Sequence, residues 1–99
     1  MLDIQLSDNG EIRLVGRLDA AQAPKAQEFL DSVDEARTVD LKDLEYISSA
    51  GLGVLLKTQK RLAAGGGGLR LVNLNKHILD VFRYSGLDQV FEIQSSPEG

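Results

Sequence analysis

Ninety-nine residues are enough for one domain with a single core, and 42% of them are hydrophobic, so the chain is globular. The absence of cysteine excludes a disulfide framework and thiolate metal sites. A formal charge of -4, with two tyrosines, three phenylalanines and no tryptophan, argues against direct nucleic-acid binding.

Ile4 and Leu6 alternate with Asp3, Gln5 and Ser7, the pattern of a half-buried strand and not of a signal peptide. Asp8-Asn9-Gly10 is a turn signal, and Ile12 to Val15 completes a hairpin. Gly16-Arg17-Leu18-Asp19 then leaves the sheet. Pro24 suits a first helical turn, and Ala26, Phe29, Leu30 and Val33 recur at helical spacing, which predicts a helix over about 21–35. Thr38 to Leu41 reads as a short strand, followed by a loop through Leu44 and Tyr46 to Ser48 and Ser49.

A second helix is expected over about 50–64, stopped by Gly65 to Gly68. Leu69 to Val72 is a further strand, and Asn75 is placed to cap a third helix carrying Ile78, Leu79 and Phe82, which Gly86 ends. Val90 to Ile93 reads as a last edge strand, and 95–99 as a fraying tail. The predicted fold is one α/β domain over 1–94, β-β-α-β-α-β-α-β, a mixed sheet with a leading hairpin and crossover helices. No apolar run approaches the roughly 18 residues of a membrane span, and the expected compartment is the cytoplasm.

Asp43 to Leu56, D-L-E-Y-I-S-S-A-G-L-G-V-L-L, bears most on function. Hydroxyls at a helix start are exposed and sit at the positive end of the helix dipole, a natural place for a phosphate. On a helical wheel, Leu52, Leu55, Leu56, Leu62 and Ala63 fall on the inward side. Ala50, Gly53, Val54, Lys57 and Arg61 fall on the outward side, a small-residue patch followed by basic residues that is either a solvated face or a docking surface.

This segment resembles the signature of STAS domains, specifically the bacterial anti-sigma factor antagonists. Gly16-Arg17-Leu18-Asp19 resembles that family's G-x-L-D turn, and Phe82-Arg83-Tyr84-Ser85-Gly86-Leu87 its F-x-x-S/T-G-L segment. The resemblance implies a non-enzymatic switch protein that binds an anti-sigma factor of the GHKL serine-kinase type and frees the sigma factor for transcription. It further implies a phosphorylated serine that ends the complex, a metal-dependent serine phosphatase that restores it, no cofactor, and a monomer when free. In the family's D-S-[S/T]-G-L motif the first serine is modified, which falls on Ser49, with Ser48 the second choice. Here Ser48 stands where the family has aspartate, and Ala50 follows the acceptor.

The partner surface implied is Asp19, Ser48, Ser49, Ala50, Gly51, Gly53, Val54, Lys57 and Arg61. Asp19 is expected near the serine loop, or as an acid at the start of the first helix. Gly65 to Gly68 lacks the Lys-Ser/Thr of a phosphate loop, and His77 reads as a first-turn helix residue rather than a metal ligand. A triad of Ser49, His77 and Asp43 fails on Ile47, where a nucleophile elbow needs glycine. A STAS module acting as a constitutive scaffold in a signalling or transporter assembly is the alternative.

Overall fold

The computed structural model describes residues 1–95. Strands β1 (Leu2–Leu6) and β2 (Ile12–Leu18) form the expected hairpin, with Leu2 opposite Gly16 and Leu6 opposite Ile12. Gly10 turns it at φ 86°, a left-handed conformation that favours glycine. There follow α1 (Ala23–Asp31), β3 (Arg37–Asp40), β4 (Leu44–Ile47), α2 (Ser49–Ala64), β5 (Leu69–Leu74), α3 (Lys76–Ser85), a 3-10 turn at Leu87–Gln89, and β6 (Glu92–Ser95). The single α/β domain with a mixed sheet and three helices is as expected. Of the expected tail, 95–99, Ser95 is the last residue of β6 and the rest lies outside the described residues.

β1 is antiparallel to β2, while β2, β3, β5 and β6 run parallel in that spatial order. β2 pairs with β3 through Ile12 and Arg13, and with β4 through Gly16, Arg17 and Leu18. Because β1 occupies the other edge of β2 throughout, β3 and β4 lie end to end along one edge. The row Ile12, Val39, Leu71, Ile93 faces the core, and the adjacent row Arg13, Asp40, Val72, Gln94 faces the other way. Leu30 of α1, Leu55 of α2, and Ile78 and Phe82 of α3 all bury in that one core.

Three sequence expectations need correction. β4 stands where the sequence predicts a loop. Leu44 and Ile47 are both buried, three residues apart, because Tyr46 pairs with Arg17 while Leu44 pairs with Gly16, which leaves Glu45 as an extra residue. That bulge breaks the strict alternation by which a strand is recognised.

Helix α1 is nine residues long and not about fifteen. Pro24 lies in its first turn as expected, but Ser32 Oγ donates to Phe29 O at 2.6 Å and competes with continuation of the helix. Val33 is buried beyond the helix end.

β6 starts at Glu92 rather than Val90, because the Phe91 amide is still bonded to Leu87 O in the preceding turn. Phe91 turns into the core edge-on to Phe82, with ring centroids 5.6 Å apart. The third helix is as predicted: Asn75 Oδ1 accepts from the Ile78 amide at 2.9 Å, and Gly86 closes it at φ 78°.

Candidate functional site

The start of α2 is held by three hydrogen bonds. The Ser48 amide donates to Leu18 O at 2.9 Å, tying the end of β4 to the end of β2. Ser48 is extended, at φ -90° and ψ 171°, and its Oγ accepts from the Gly51 amide at 3.1 Å, an N-cap. The Leu52 amide then closes the first helical bond onto Ser48 O at 2.9 Å.

Ser49 is the first residue of the helix proper and is exposed. Its hydroxyl has no side-chain hydrogen bond among the described residues. The first turn contains no acidic residue, so no side-chain charge of the helix itself offsets the positive end of the dipole. The two hydroxyls therefore differ in kind: that of Ser48 is used by the fold, and that of Ser49 is presented to solvent.

The two glycines of this turn differ as well. A Cβ on Gly51 would lie 2.7 Å from Leu18 Cγ and 2.8 Å from Leu18 O, so glycine is required for α2 to seat on the strand ends. A Cβ on Gly53 would meet nothing within 4 Å, and Gly53 is exposed. Glycine inside a helix costs roughly 0.5–1 kcal/mol relative to alanine, so packing among the described residues gives no reason for glycine at 53.

Asp19 sits directly after Leu18, whose carbonyl holds Ser48, so the structure brings it close to the serine turn. Its Oδ1 accepts from the Gln22 amide at 3.0 Å, and its carbonyl accepts from Ala23, which makes it a turn residue just ahead of α1. The N-cap position of α1 itself is Gln22, without a side-chain cap bond.

Two residues of the expected partner surface are otherwise placed. Gly51 and Val54 are buried, Val54 at 7% exposure, because α1 packs beside α2 and covers a flank that the sheet alone would leave open. Arg61 is exposed as expected and also tethered to the α1 side: its Nη2 donates to Leu30 O in the last turn of α1 at 2.8 Å and to Val33 O just beyond it at 2.7 Å.

Conversely, Leu52 and Leu56 are only half-buried and Ala63 is exposed. Thr58, which sequence reasoning passes over, is 1% exposed on the buried stripe with Gly51, Val54, Leu55 and Leu62. Its Oγ1 donates to Val54 O at 3.0 Å, which satisfies a polar group in the core. Ser49, Ala50, Gly53 and Lys57 form an exposed stripe that begins at the helix start, and the tethered Arg61 is exposed beyond them.

The other singled-out residues stand elsewhere. His77 is exposed in the first turn of α3, Asp43 is ion-paired with Arg13 at 3.3 Å, and Gly65 caps the C-terminus of α2. Among the described residues no helix is long and apolar enough to cross a membrane.

Residues 2–94 match the family model described as "Mlab, STAS domain". The anti-sigma-B factor antagonist of Bacillus subtilis (strain 168) is 31% identical over 102 residues, spanning 99% of this chain and 94% of its own length. The crystal structure of an anti-sigma factor antagonist from Mycobacterium paratuberculosis superposes with a TM-score of 0.80 at 21% identity, covering 99% of this chain and 87% of that one. The Bacillus cell fate determinant SpoIIAA in its phosphorylated form superposes with a TM-score of 0.69 at 18% identity, over 99% and 94% of the two chains. At such identities the two solved structures speak for the fold. With the family match running from one end of the domain to the other, this chain belongs to the STAS-domain family of anti-sigma factor antagonists.

Proposed function

We propose that this protein binds an anti-sigma factor that is also a GHKL-type serine kinase, releases the sigma factor held by it, and is switched off by phosphate on Ser49. The observation that carries this is the division of labour between the serines: Ser48 Oγ is committed to the Gly51 amide, and the Ser49 hydroxyl stands exposed at the start of α2. Transfer forms a bond from Ser49 Oγ to the γ-phosphorus of ATP and expels ADP, with the hydroxyl proton passing to a base supplied by the kinase. A metal-dependent phosphatase reverses the state, and the setting is the cytoplasm.

Phosphate adds about -1.5 to -2 charges near neutral pH. Amide donors and the dipole at a helix start favour an anion, so the free fold accepts the group. The bound state does not, because a dianion is forced against a surface built to hold nucleotide phosphates. A loss of only ~2.8 kcal/mol weakens a complex about a hundredfold, so no large rearrangement is needed. The docking face on this account is Ser49, Ala50, Gly53 and Lys57, with Asp19 beside it.

The test is site mapping by mass spectrometry after incubation with the cognate kinase and ATP. Ser48→Ala should still be labelled and Ser49→Ala should not, although Ser49→Ala should still bind the kinase. Labelling that survives in Ser49→Ala and disappears in Ser48→Ala would reverse the assignment. A constitutive scaffold would bind its partner and take no phosphate on either serine.

A further inference from the structure

The face of the sheet turned away from the core carries three arginines in different company. Arg13 is flanked by two carboxylates, with Nη2 3.3 Å from Asp43 Oδ2 and Nε 3.9 Å from Asp40 Oδ2. Arg70 Nη2 donates to Gln94 Oε1 at 2.7 Å. Arg17 faces the same way, because Leu18 beside it is buried in the core. It is exposed, and its guanidinium carbon lies 4.4 Å from the centre of the ring of Tyr46, the residue opposite it in β4. Among the described residues the Arg17 side chain makes no hydrogen bond and no ion pair.

Its setting is stiff and close to the serine switch. The Arg17 amide donates to Met1 O at 2.9 Å and the Gly16 amide to Asp43 O at 3.0 Å, so this end of β2 is held from both sides. Leu18, next in the chain, offers the carbonyl that holds the Ser48 amide. Tyr46 precedes Ser49 by three residues, at most about 10 Å of extended chain. Acids close by in the chain and across the strands are otherwise engaged. Asp3 Oδ2 accepts from Gln5 Nε2 at 2.7 Å, Asp19 Oδ1 accepts from the Gln22 amide at 3.0 Å, and Asp43 is paired with Arg13. Stacking on an aromatic face orients a guanidinium and leaves the N–H donors around its edge free. A fork fixed in advance loses less freedom when it binds, and its edge matches the two oxygens of a carboxylate.

We infer that Arg17 is a second anchor for the kinase partner, gripping the carboxylate of an aspartate or glutamate on that partner while Tyr46 backs the guanidinium. The inference rests on the function proposed above. The occupant follows from charge and place. A cation without an acid of its own is complemented by a carboxylate, and arginine and tyrosine are residue types that often carry interface energy. Through the bond between Leu18 and Ser48, Arg17 is continuous with the exposed stripe that starts at Ser49. The interface therefore bends over the ends of β2 and β4 instead of stopping at α2.

The experiment measures the affinity of the full chain for the cognate kinase at low and high salt, with Ser49 site mapping and melting on the same samples. Arg17→Gln should bind about tenfold or more weakly, with a shallower salt dependence and an unchanged midpoint. Arg17→Lys, which keeps the charge but loses the planar fork, should recover only part of the affinity. Tyr46→Leu should weaken binding several-fold by removing the backing. Wild-type affinity in Arg17→Gln overturns the proposal, as does a loss that merely follows a lower midpoint. Full affinity in Arg17→Lys overturns the carboxylate grip. An Arg17 effect that vanishes when nucleotide is omitted assigns the contact to a bound phosphate and overturns the carboxylate assignment. Failure of the functional reading looks different: wild type itself would neither bind the kinase nor be labelled on Ser49, and both proposals would fall.

Discussion

The two ends of α2 use their residues in opposite ways. At the C-terminal end long polar side chains are taken up by the fold, Gln59 holding Leu69 and Val90 while Arg61 holds Leu30 and Val33. At the N-terminal end Ser48 and Gly51 alone seat the helix, and Ser49, Ala50 and Gly53 are left exposed without a contact that explains them. Residue type does not decide the role, since serine and glycine each occur in both, Ser48 and Gly51 used by the fold and Ser49 and Gly53 not. What separates them is whether the fold already uses the side chain, and the unused ones mark the surface offered to a partner.

Substitutions can break that contrast. The largest effect should come from Gly51→Ala, whose methyl meets Leu18 O at 2.8 Å and forces the helix off the strand ends. A loss of about 2–3 kcal/mol is expected from such overpacking, read as a lower midpoint in thermal unfolding.

Arg61→Met should cost about 1–2 kcal/mol by removing the donor to two carbonyls. It should leave kinase affinity unchanged, and a binding defect at wild-type stability would return Arg61 to the partner surface. Ser48→Ala should lose roughly 1 kcal/mol with its cap, whereas Ser49→Ala should melt within about 0.5 kcal/mol of wild type. Equal losses from the two serines would erase the distinction between them.

Gly53→Ala sharpens the comparison most, because its effect on the fold is small and of the opposite sign. With nothing within 4 Å of the new methyl, the helix should gain roughly 0.5–1 kcal/mol. The same methyl should weaken kinase binding. A variant that is more stable and binds as well as wild type would show that the glycine serves no interface.

How much of this is legible in the sequence follows from the kind of signal each element carries. The hairpin, the limits of α2, and the Asn75 and Gly86 ends of α3 rest on turn and cap chemistry, which acts within three or four residues and is written locally. β4 is hidden because its bulge at Glu45 breaks the alternation that marks a strand. The face of α2 is misjudged at Val54 because a wheel with one buried side assumes one neighbour, and here α1 supplies a second. The anchoring bonds of Thr58 and Arg61 are not legible for a related reason, as their partners are a carbonyl one turn back and carbonyls 28 and 31 residues away in sequence. Ser49 is legible from the motif, but the commitment of Ser48 to the cap needs the geometry.

The central claim is that charge on Ser49 acts at the interface and not on the fold. The most direct measurement takes the protein phosphorylated on Ser49 and determines, on the same sample, its affinity for the kinase and its melting midpoint. Affinity reduced by about a hundredfold or more, ~2.8 kcal/mol, with a midpoint near that of the unmodified protein, is the expected result. Undiminished affinity, or a loss of binding that merely tracks a loss of folding, would contradict it.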